Sequence, residues 1–266
     1  MPASIVAAFR HKYSPIEDEQ TSARLVEVLT RLDLAALTRA WQRTSDRDQQ
    51  HAPASAAALT EYLGATTVNA IGLDSGRGGD LIAGASIELR PAGTPDASVV
   101  APLLSYVIVP YEPDHGAAQV AGLVALAEVV RPVWGMMSVE PSYDIAQLAA
   151  LAKGPPRDQR GTFPLLTEDR IRYRRAPWHH DKQIDRGIGG PEWGTFLGPR
   201  HLEKLSLEDV RSSGAFAQVH LLAYGGAFLQ LTGDPSDSQS ERIVDLVARG
   251  RVALSAITLD VSAVRL

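Results

Sequence analysis

The chain has 266 residues, of which 45% are hydrophobic, a formal net charge of −5 and no cysteine. This length accommodates one large domain or two small ones with a substantial core. The acidic balance excludes a global basic field for nucleic acid or an anionic membrane surface, and the lack of cysteine excludes disulfides, thiolate nucleophiles and cysteine-rich zinc sites.

The N-terminal part predicts a strand followed by an amphipathic helix. Residues 4–9, SIVAAF, form a short apolar run typical of a strand. Residues 21–41 predict one helix, because apolar residues recur there at helical spacing, namely Leu25, Val28, Leu29 and Leu32. The polar stretch 43–56 has no period and predicts a loop, and 56–64 predicts a short helix that ends at Gly64.

A hairpin and a strand–helix–strand unit follow. Residues 67–73 and 80–90 predict two strands, and we expect the DSGRGGD stretch between them to be a turn, since it lacks the Lys-Ser/Thr ending of a Walker loop. After a linker, LLSYVIVPYE predicts a strand ended by Pro110. Asp114 is placed to cap the helix AAQVAGLVALAEVV, which Pro132 stops, and VWGMMSVE predicts a further strand filled by core residues.

The pattern weakens from 141 to 175 and then becomes regular again. GPRHLEKL predicts a short helix with proline in its first turn, and strands at 217–224 and 226–232 predict a hairpin around a Gly-Gly pair. SQSERIVDLVARG predicts a helix with a capping box at 238–241 and a stop at Gly250, and VALSAITLDVSAV predicts a last strand.

These elements together predict an α+β fold with largely antiparallel sheet and packed amphipathic helices. Most neighbouring strands are linked by hairpins, which disfavours a doubly wound parallel sheet. We expect one domain over 1–266, either undivided or as two subdomains joined within 141–176. The start of the chain lacks the order of a secretory signal and its longest apolar segment is too short to span a bilayer, so we expect a cytoplasmic protein without membrane contact.

Adjacent histidines and aspartates raise the question of a metal centre. His179, His180, Asp181 and Asp185 are residue types that bind zinc, iron or manganese. Side chains adjacent in sequence do not all converge on one ion, however, and the chain has no HExxH motif and no GxSxG elbow. We therefore expect no metal, no cofactor and no enzymatic activity, with a metal-assisted hydrolase using these four residues as the alternative.

The segment 168–186 is rich in charge and in aromatic residues. It contains six basic and four acidic residues, whose charges largely cancel, and this predicts an exposed strand and loop. Arginine, tyrosine and tryptophan also dominate binding energy at protein interfaces, so a partner-binding edge is the competing interpretation. The candidate partner-binding residues are Arg172, Tyr173, Arg174, Arg175, Trp178, His179, His180, Asp181 and Asp185.

Several motifs occur in order along the chain: the SYVIVPYE strand, the Trp134-Gly135 step, WGTFLGPRHLEKL with Leu202 and Leu205, and YGGAFLQLTGDPSD. Together they resemble bacterial immunity proteins of type VI secretion and polymorphic-toxin systems. The nearest resemblance is to the type VI immunity family directed against VRR-NUC-type nuclease toxins. The chain departs from it after the Gly-Asp step, where GDPSDSQSE replaces an asparagine-containing stretch. The motif residues expected to be structural are Trp193, Gly194, Gly198, Gly225, Gly226, Gly233 and Asp234.

The resemblance implies a cytoplasmic, non-catalytic protein that binds a cognate protein toxin and occludes its active site, with no direct contact to nucleic acid. If the toxin is a nuclease, an acidic inhibitor is steered toward its basic substrate cleft. A structural protein of a phage-like particle, recognisable by self-association, is a third possibility. The sequence does not fix the oligomeric state.

Overall fold

One continuous antiparallel sheet of ten strands dominates the computed structural model, which confirms the predicted α+β class. The structure describes residues 3–12, 14–15, 18–32, 39–43, 49–65, 68–74, 84–89, 103–151, 167–179, 185–262 and 264. The strands are β1 (Ser4–His11), β2 (Arg39–Arg43), β3 (Gln49–Pro53), β4 (Ala70–Asp74), β5 (Gly84–Glu88), β6 (Leu103–Pro110), β7 (Trp134–Glu140), β8 (Gly194–Leu197), β9 (Gln218–Leu221) and β10 (Ala227–Gln230). Their order across the sheet is β3-β2-β4-β5-β6-β1-β7-β8-β10-β9.

Eight helices accompany the sheet within the described residues. They are α1 (Glu19–Arg31), α2 (Ala56–Gly64), α3 (Gly116–Val130), α4 (Tyr143–Ala150), α5 (Glu168–His179), α6 (Pro199–Leu202), α7 (Leu207–Ser212) and α8 (Arg242–Ala253). Among the described residues, none of the helices has the length and apolar character that a bilayer crossing requires.

Strand β1 lies in the middle of the sheet and is buried along its whole length. It pairs antiparallel with β6 on one side and β7 on the other, and the equally buried β7 continues the sheet toward β8. An unbroken apolar run of this kind is typical of a strand that is covered on both faces. The predicted strands at 4–9 and VWGMMSVE are therefore confirmed, and Trp134, Met136 and Met137 belong to the core.

A row of phenylalanines crosses the centre of the sheet. The rings of Phe9 and Phe196 meet edge to face with centroids 5.2 Å apart, and those of Phe196 and Phe228 are stacked at 4.7 Å. Gly135 stands opposite both Phe9 and Phe196 in the strand register. A Cβ on Gly194 would lie 2.8 Å from the Phe228 ring and 3.0 Å from the Cβ of Met137, so glycine makes room for the stack.

Two predictions in the N-terminal third are wrong. The helix predicted over 21–41 ends at Arg31, although its apolar face is buried as expected, and Arg39–Arg43 is strand β2 instead. The loop predicted at 43–56 contains strand β3, which forms a hairpin with β2. Strand β3 is polar because it is an outer strand of the sheet, whereas β2 pairs with both β3 and β4, which supplies what local propensity does not.

The weak pattern predicted between 141 and 175 conceals helices α4 and α5. Asp114 does not cap α3, because it lies inside a 3-10 turn that begins at Pro113. The capping box at 238–241 also fails, since Ser238 is buried within a 3-10 turn, where its hydroxyl accepts the Val139 N–H.

The end of the chain differs from the prediction as well. Helix α8 continues past Gly250 to Ala253, and glycine is needed there because a Cβ would lie 2.9 Å from Pro191. The predicted last strand is a 3-10 turn at Ser255–Ile257 with a single bridge from Thr258 to Ile188. The predicted hairpins β4–β5 and β9–β10 are confirmed, whereas nearly all of the DSGRGGD turn and the linker at 91–98 lie outside the described residues.

We expect Gly194→Ala to lower the free energy of unfolding by about 1–3 kcal/mol, because the new methyl group overpacks the aromatic row. Gly233→Ala is the control, since nothing lies within 4 Å of a Cβ at that position. Urea unfolding of both variants measures the difference, and equal stabilities would contradict the packing argument.

Candidate binding surface

The charged segment predicted to be an exposed strand and loop is largely helix α5, and two of its arginines are buried. The exposed fractions of the Arg170 and Arg174 side chains are 4% and 2%. The prediction of surface exposure is therefore wrong for both residues. Arg174 in particular contacts the protein's own carboxylates and presents no surface to a partner.

Four buried charges form a closed network between α5 and the sheet. Arg174 donates two hydrogen bonds to the Glu192 carboxylate, both of 2.9 Å, and a third of 2.8 Å to Glu140 on β7. Arg170 donates to Glu192 at 2.6 Å, and the Ser138 hydroxyl donates to Glu140. The two guanidinium groups and two carboxylates balance, so none of the four charges is buried without an opposite charge.

This network changes the ionisation of its members. Burial alone would raise the pKa of Glu192, but the adjacent Arg170 and Arg174 guanidinium groups lower it to about 2. Burial likewise opposes the charge on Arg174, yet the Glu140 and Glu192 carboxylates raise the pKa of Arg174 above its ordinary value. Glu192 and Arg174 are therefore ionised at neutral pH, and the network holds α5 against β7 and the segment that leads into β8.

The other predicted partner-binding residues whose side chains the structure describes are Arg172, Tyr173, Arg175 and Asp185. Arg172 is half-buried and pairs with Asp169 and Glu168 on its own helix, and the Tyr173 ring lies 4.5 Å below the Arg251 guanidinium. Arg175 is half-buried on the same helix, and Asp185 pairs with Lys12.

Only part of the histidine-rich segment lies within the described residues. His180 and Asp181 lie outside the described residues, as do the side chains of Trp178 and His179. Among the residues that are described, no group of three or more metal-binding side chains comes together. Asp185 is also engaged by Lys12.

The residues expected to be structural lie on the β8–β10 half of the sheet. Trp193 is fully buried, and its indole N–H donates to Thr232 Oγ1 at 2.8 Å. Gly225 has a φ of +86° in the β9–β10 turn, and a Cβ on Gly226 would lie 2.5 Å from the Leu197 carbonyl. Asp234 accepts the Ser236 N–H, and Gly198 donates its N–H to Val133.

Helix α3 is apolar on all sides but is not fully covered. Gln119 and Glu128 are the only polar side chains among its 15 residues. Its inner face is buried, whereas Ala117 and Ala121 on its outer face are exposed and Val124 is half-buried. A helix that is hydrophobic all round is normally buried, so this outer face has the composition of an interface.

An apolar groove of about 610 Å³ runs between α3 and the β9–β10 hairpin. Val120, Ala121 and Val124 form one wall, and Phe228 and His220 lie on the opposite side with ring centroids 6.3 Å apart. Leu221 is 62% exposed and also lines the groove, although β9 is the outermost strand of the sheet. We call this feature the α3 groove.

A cleft of about 850 Å³ lies at the C-terminal end of α3. Its lining includes Lys12, Arg24, Arg131 and Arg200, together with Glu128 and Asp185. We call it the basic cleft, because its cations outnumber its carboxylates in a protein with a net charge of −5.

Glu128 and the β9–β10 hairpin join the α3 groove to the basic cleft. The Glu128 carboxylate accepts the Ala223 N–H at 2.8 and 3.0 Å and lines both cavities. The two cavities therefore form one surface along α3, which is apolar at one end and cationic at the other. Sequence reasoning missed this surface, and its only local signal is the lack of polar residues on the outer side of α3.

Comparison with known proteins places the fold but not a family. No protein-family model matches the sequence, and no curated protein matches it significantly. Among solved structures, the chain is similar to the Pseudomonas aeruginosa T6SS protein PA0821, with a TM-score of 0.63 and 15% sequence identity. The match covers 96% of this chain and 73% of that one. At this identity the likeness establishes a similar fold.

We expect Glu192→Gln to lower the free energy of unfolding by about 3–5 kcal/mol, because it leaves two buried guanidinium groups with one carboxylate between them. Glu203→Gln removes the exposed partner of Arg200 and should change stability by less than about 1 kcal/mol. Chemical denaturation of both variants tests this, and similar losses would show that the buried network is unimportant.

The network also predicts sensitivity to acid. Folding lowers the pKa of Glu192 from 4.5 to about 2. The stability that the ionised Glu192 gives to the folded state is therefore complete above pH 4.5 and is lost as the pH falls through about 2. The melting temperature of the wild type should fall as the pH is lowered through that window. The melting temperature of Glu192→Gln should fall less, and parallel plots of melting temperature against pH for the two proteins would count against this assignment.

Proposed function

We propose that this chain is a non-enzymatic immunity protein of a type VI secretion system, which binds a cognate toxin and occludes its active site. The binding surface is the α3 groove together with the basic cleft. The observation that carries the proposal is the apolar outer face of α3 beside the exposed Leu221. A helix face of this composition is stabilised when a partner covers it.

The rigidity of the surface suits a tight inhibitor. Stable protein complexes bury about 800 Å² on each partner, with binding energy concentrated in a few central anchors. The walls of the groove are built on a helix and two strands, which lose little conformational entropy on binding. Leu221 and Val124 are suitable central anchors, and Gln218 and Asp234 supply polar groups at the edge.

Similarity of fold and the sequence motifs agree on the biological system. The structural neighbour is described as a type VI secretion protein, and the sequence motifs resemble immunity proteins of the same system. Fold alone does not determine function, so this agreement adds to the argument from the surface. The net charge of −5 favours encounter with a basic protein such as a nuclease.

Co-expression tests the proposal directly. The expected partner is a toxin encoded next to this chain, and we expect co-expression with the wild type to restore growth and the purified proteins to form a one-to-one complex. Failure to relieve toxicity, together with no complex in solution, would refute the proposal. Self-association in place of complex formation would support a structural protein of a particle instead.

We expect Leu221→Arg and Ala121→Arg each to weaken the complex by about 10- to 100-fold, because each places a charge on one wall of the α3 groove. Val252→Arg is the matched control, since Val252 is 75% exposed on α8 and lines neither cavity. Calorimetric titration gives the affinities. Unchanged binding by both groove variants would show that the toxin docks elsewhere.

A further inference from the structure

The cations of the basic cleft differ in how far neighbouring carboxylates already engage them. Lys12 is held by Asp185, and Arg200 pairs with the exposed Glu203 at 3.3 Å. Within the described part of the chain, no carboxylate lies within ion-pairing distance of Arg24 or Arg131, and Asp18 interacts with Arg131 only through a longer-range coulombic contact. Arg24 and Arg131 are both exposed, so their charge is available to an external anion.

The backbone at Arg131 adds an independent observation. Arg131 ends α3 with a φ of 49° and a ψ of 62°, and it is the only non-glycine residue with positive φ in the described part of the chain. Glycine is the residue that normally ends a helix in this conformation, because a Cβ is strained there. An arginine in this position stores strain beside a cleft, which is a property of functional sites.

The floor of the cleft is rigid. Val133 donates its N–H to Arg10 and Gly198 donates its N–H to Val133, both at 2.8 Å, which ties the end of β1 to the start of α6. Tyr224 donates its hydroxyl to the Pro132 carbonyl at 3.3 Å, and burial raises the pKa of Tyr224, which keeps that donor protonated. Arg131, which directly precedes this segment, therefore projects from a fixed frame, which reduces the entropy lost on binding.

On the basis of the function proposed above, we propose that the basic cleft receives the carboxylates of an acidic segment of the protein partner, while apolar side chains of the same segment enter the α3 groove. Charge complementarity to the basic cleft defines the acidic half of this segment, and the apolar lining of the α3 groove defines its apolar half. The long-range field of the acidic chain steers the partner, and the local cations fix its register.

A protein segment fits this surface better than a nucleic acid. Phosphates would suit the cleft alone, but the adjoining groove presents alanine, valine and leucine side chains and lacks the basic residues that a backbone of phosphates requires. The net charge of −5 also opposes a polyanion of uniform charge. Glu128, which lines both cavities where they join, would repel a phosphate backbone that ran from one cavity into the other.

Synthetic peptides test the proposal on the full-length protein. The probe is a fluorescein-labelled peptide of about twelve residues, with leucines in its first half and glutamates in its second half. We expect it to bind at least about tenfold more tightly than the same peptide with glutamines, and to weaken as ionic strength rises from about 0.05 to about 0.5 M. Equal binding of the two peptides, or no binding of either, would overturn the proposal, as would tighter binding of a single-stranded RNA of equal charge.

Three variants locate the interaction. Arg24→Gln and Arg131→Gly should each weaken binding of the glutamate peptide about two- to tenfold, whereas Arg249→Gln, which removes an exposed arginine on α8, should not. Arg131→Gly also relieves the strained backbone, so its melting temperature should stay the same or rise. A loss of binding by this variant is therefore separate from any loss of folding, and unchanged binding by both cleft variants would refute the assignment.

The outcomes separate this inference from the proposed function. If co-expression neutralises the toxin but the glutamate and glutamine peptides bind equally, the function stands and the inference fails. If the glutamate peptide binds and both cleft variants weaken it, but co-expression does not restore growth, the inference stands and the toxin-neutralising function fails.

Discussion

Two arginines on α5 are buried in this protein, and the fold around them depends on the carboxylates that neutralise them. A buried charge without a partner destabilises a protein by several kcal/mol, so Glu192 and Glu140 must occupy the positions that they have. Glu140 ends β7, and Glu192 stands two residues before β8. The network thus fixes a helix on one face of the sheet and the entry to its β8–β10–β9 half at the same time.

The candidate binding surface depends on that half of the sheet. Strands β8 and β10 carry the phenylalanines that continue the core from β1, and the β9–β10 hairpin supplies Leu221 and Ala223 to the two cavities. Helix α3 supplies the opposite wall. Because Ser138 and Glu140 alternate with Gly135 and Met137 along β7, the charge network and the aromatic row occupy opposite faces. One face therefore carries the stabilising ion pairs and the other carries the surface proposed for binding.

The similarity to a type VI secretion protein at 15% identity shows that a fold persists when most of its sequence differs. Buried positions tolerate many apolar residues, so a sheet and its helices persist when most of the sequence has changed. Specific binding depends instead on a small number of exposed groups, here on α3, β9 and the basic cleft. Arg131, with its strained backbone, is the clearest case of a residue that the fold does not require.

The sequence by itself determined the α+β class, the buried strands β1 and β7 and the hairpins β4–β5 and β9–β10, because their signals are local apolar patterns and turn residues. It did not determine the state of 168–186. Arg174 meets Glu192 and Glu140 across separations of 18 and 34 residues, and these long-range contacts bury its charge on helix α5. Pairing with β2 likewise makes the polar segment β3 a strand, and close packing against Pro191 requires glycine at position 250 inside α8. Only the tertiary structure placed the apolar side of α3 beside Leu221 and the C-terminal end of α3 beside the arginines of the basic cleft. The sequence could not show this, because the burial of a helix face depends on what packs against it.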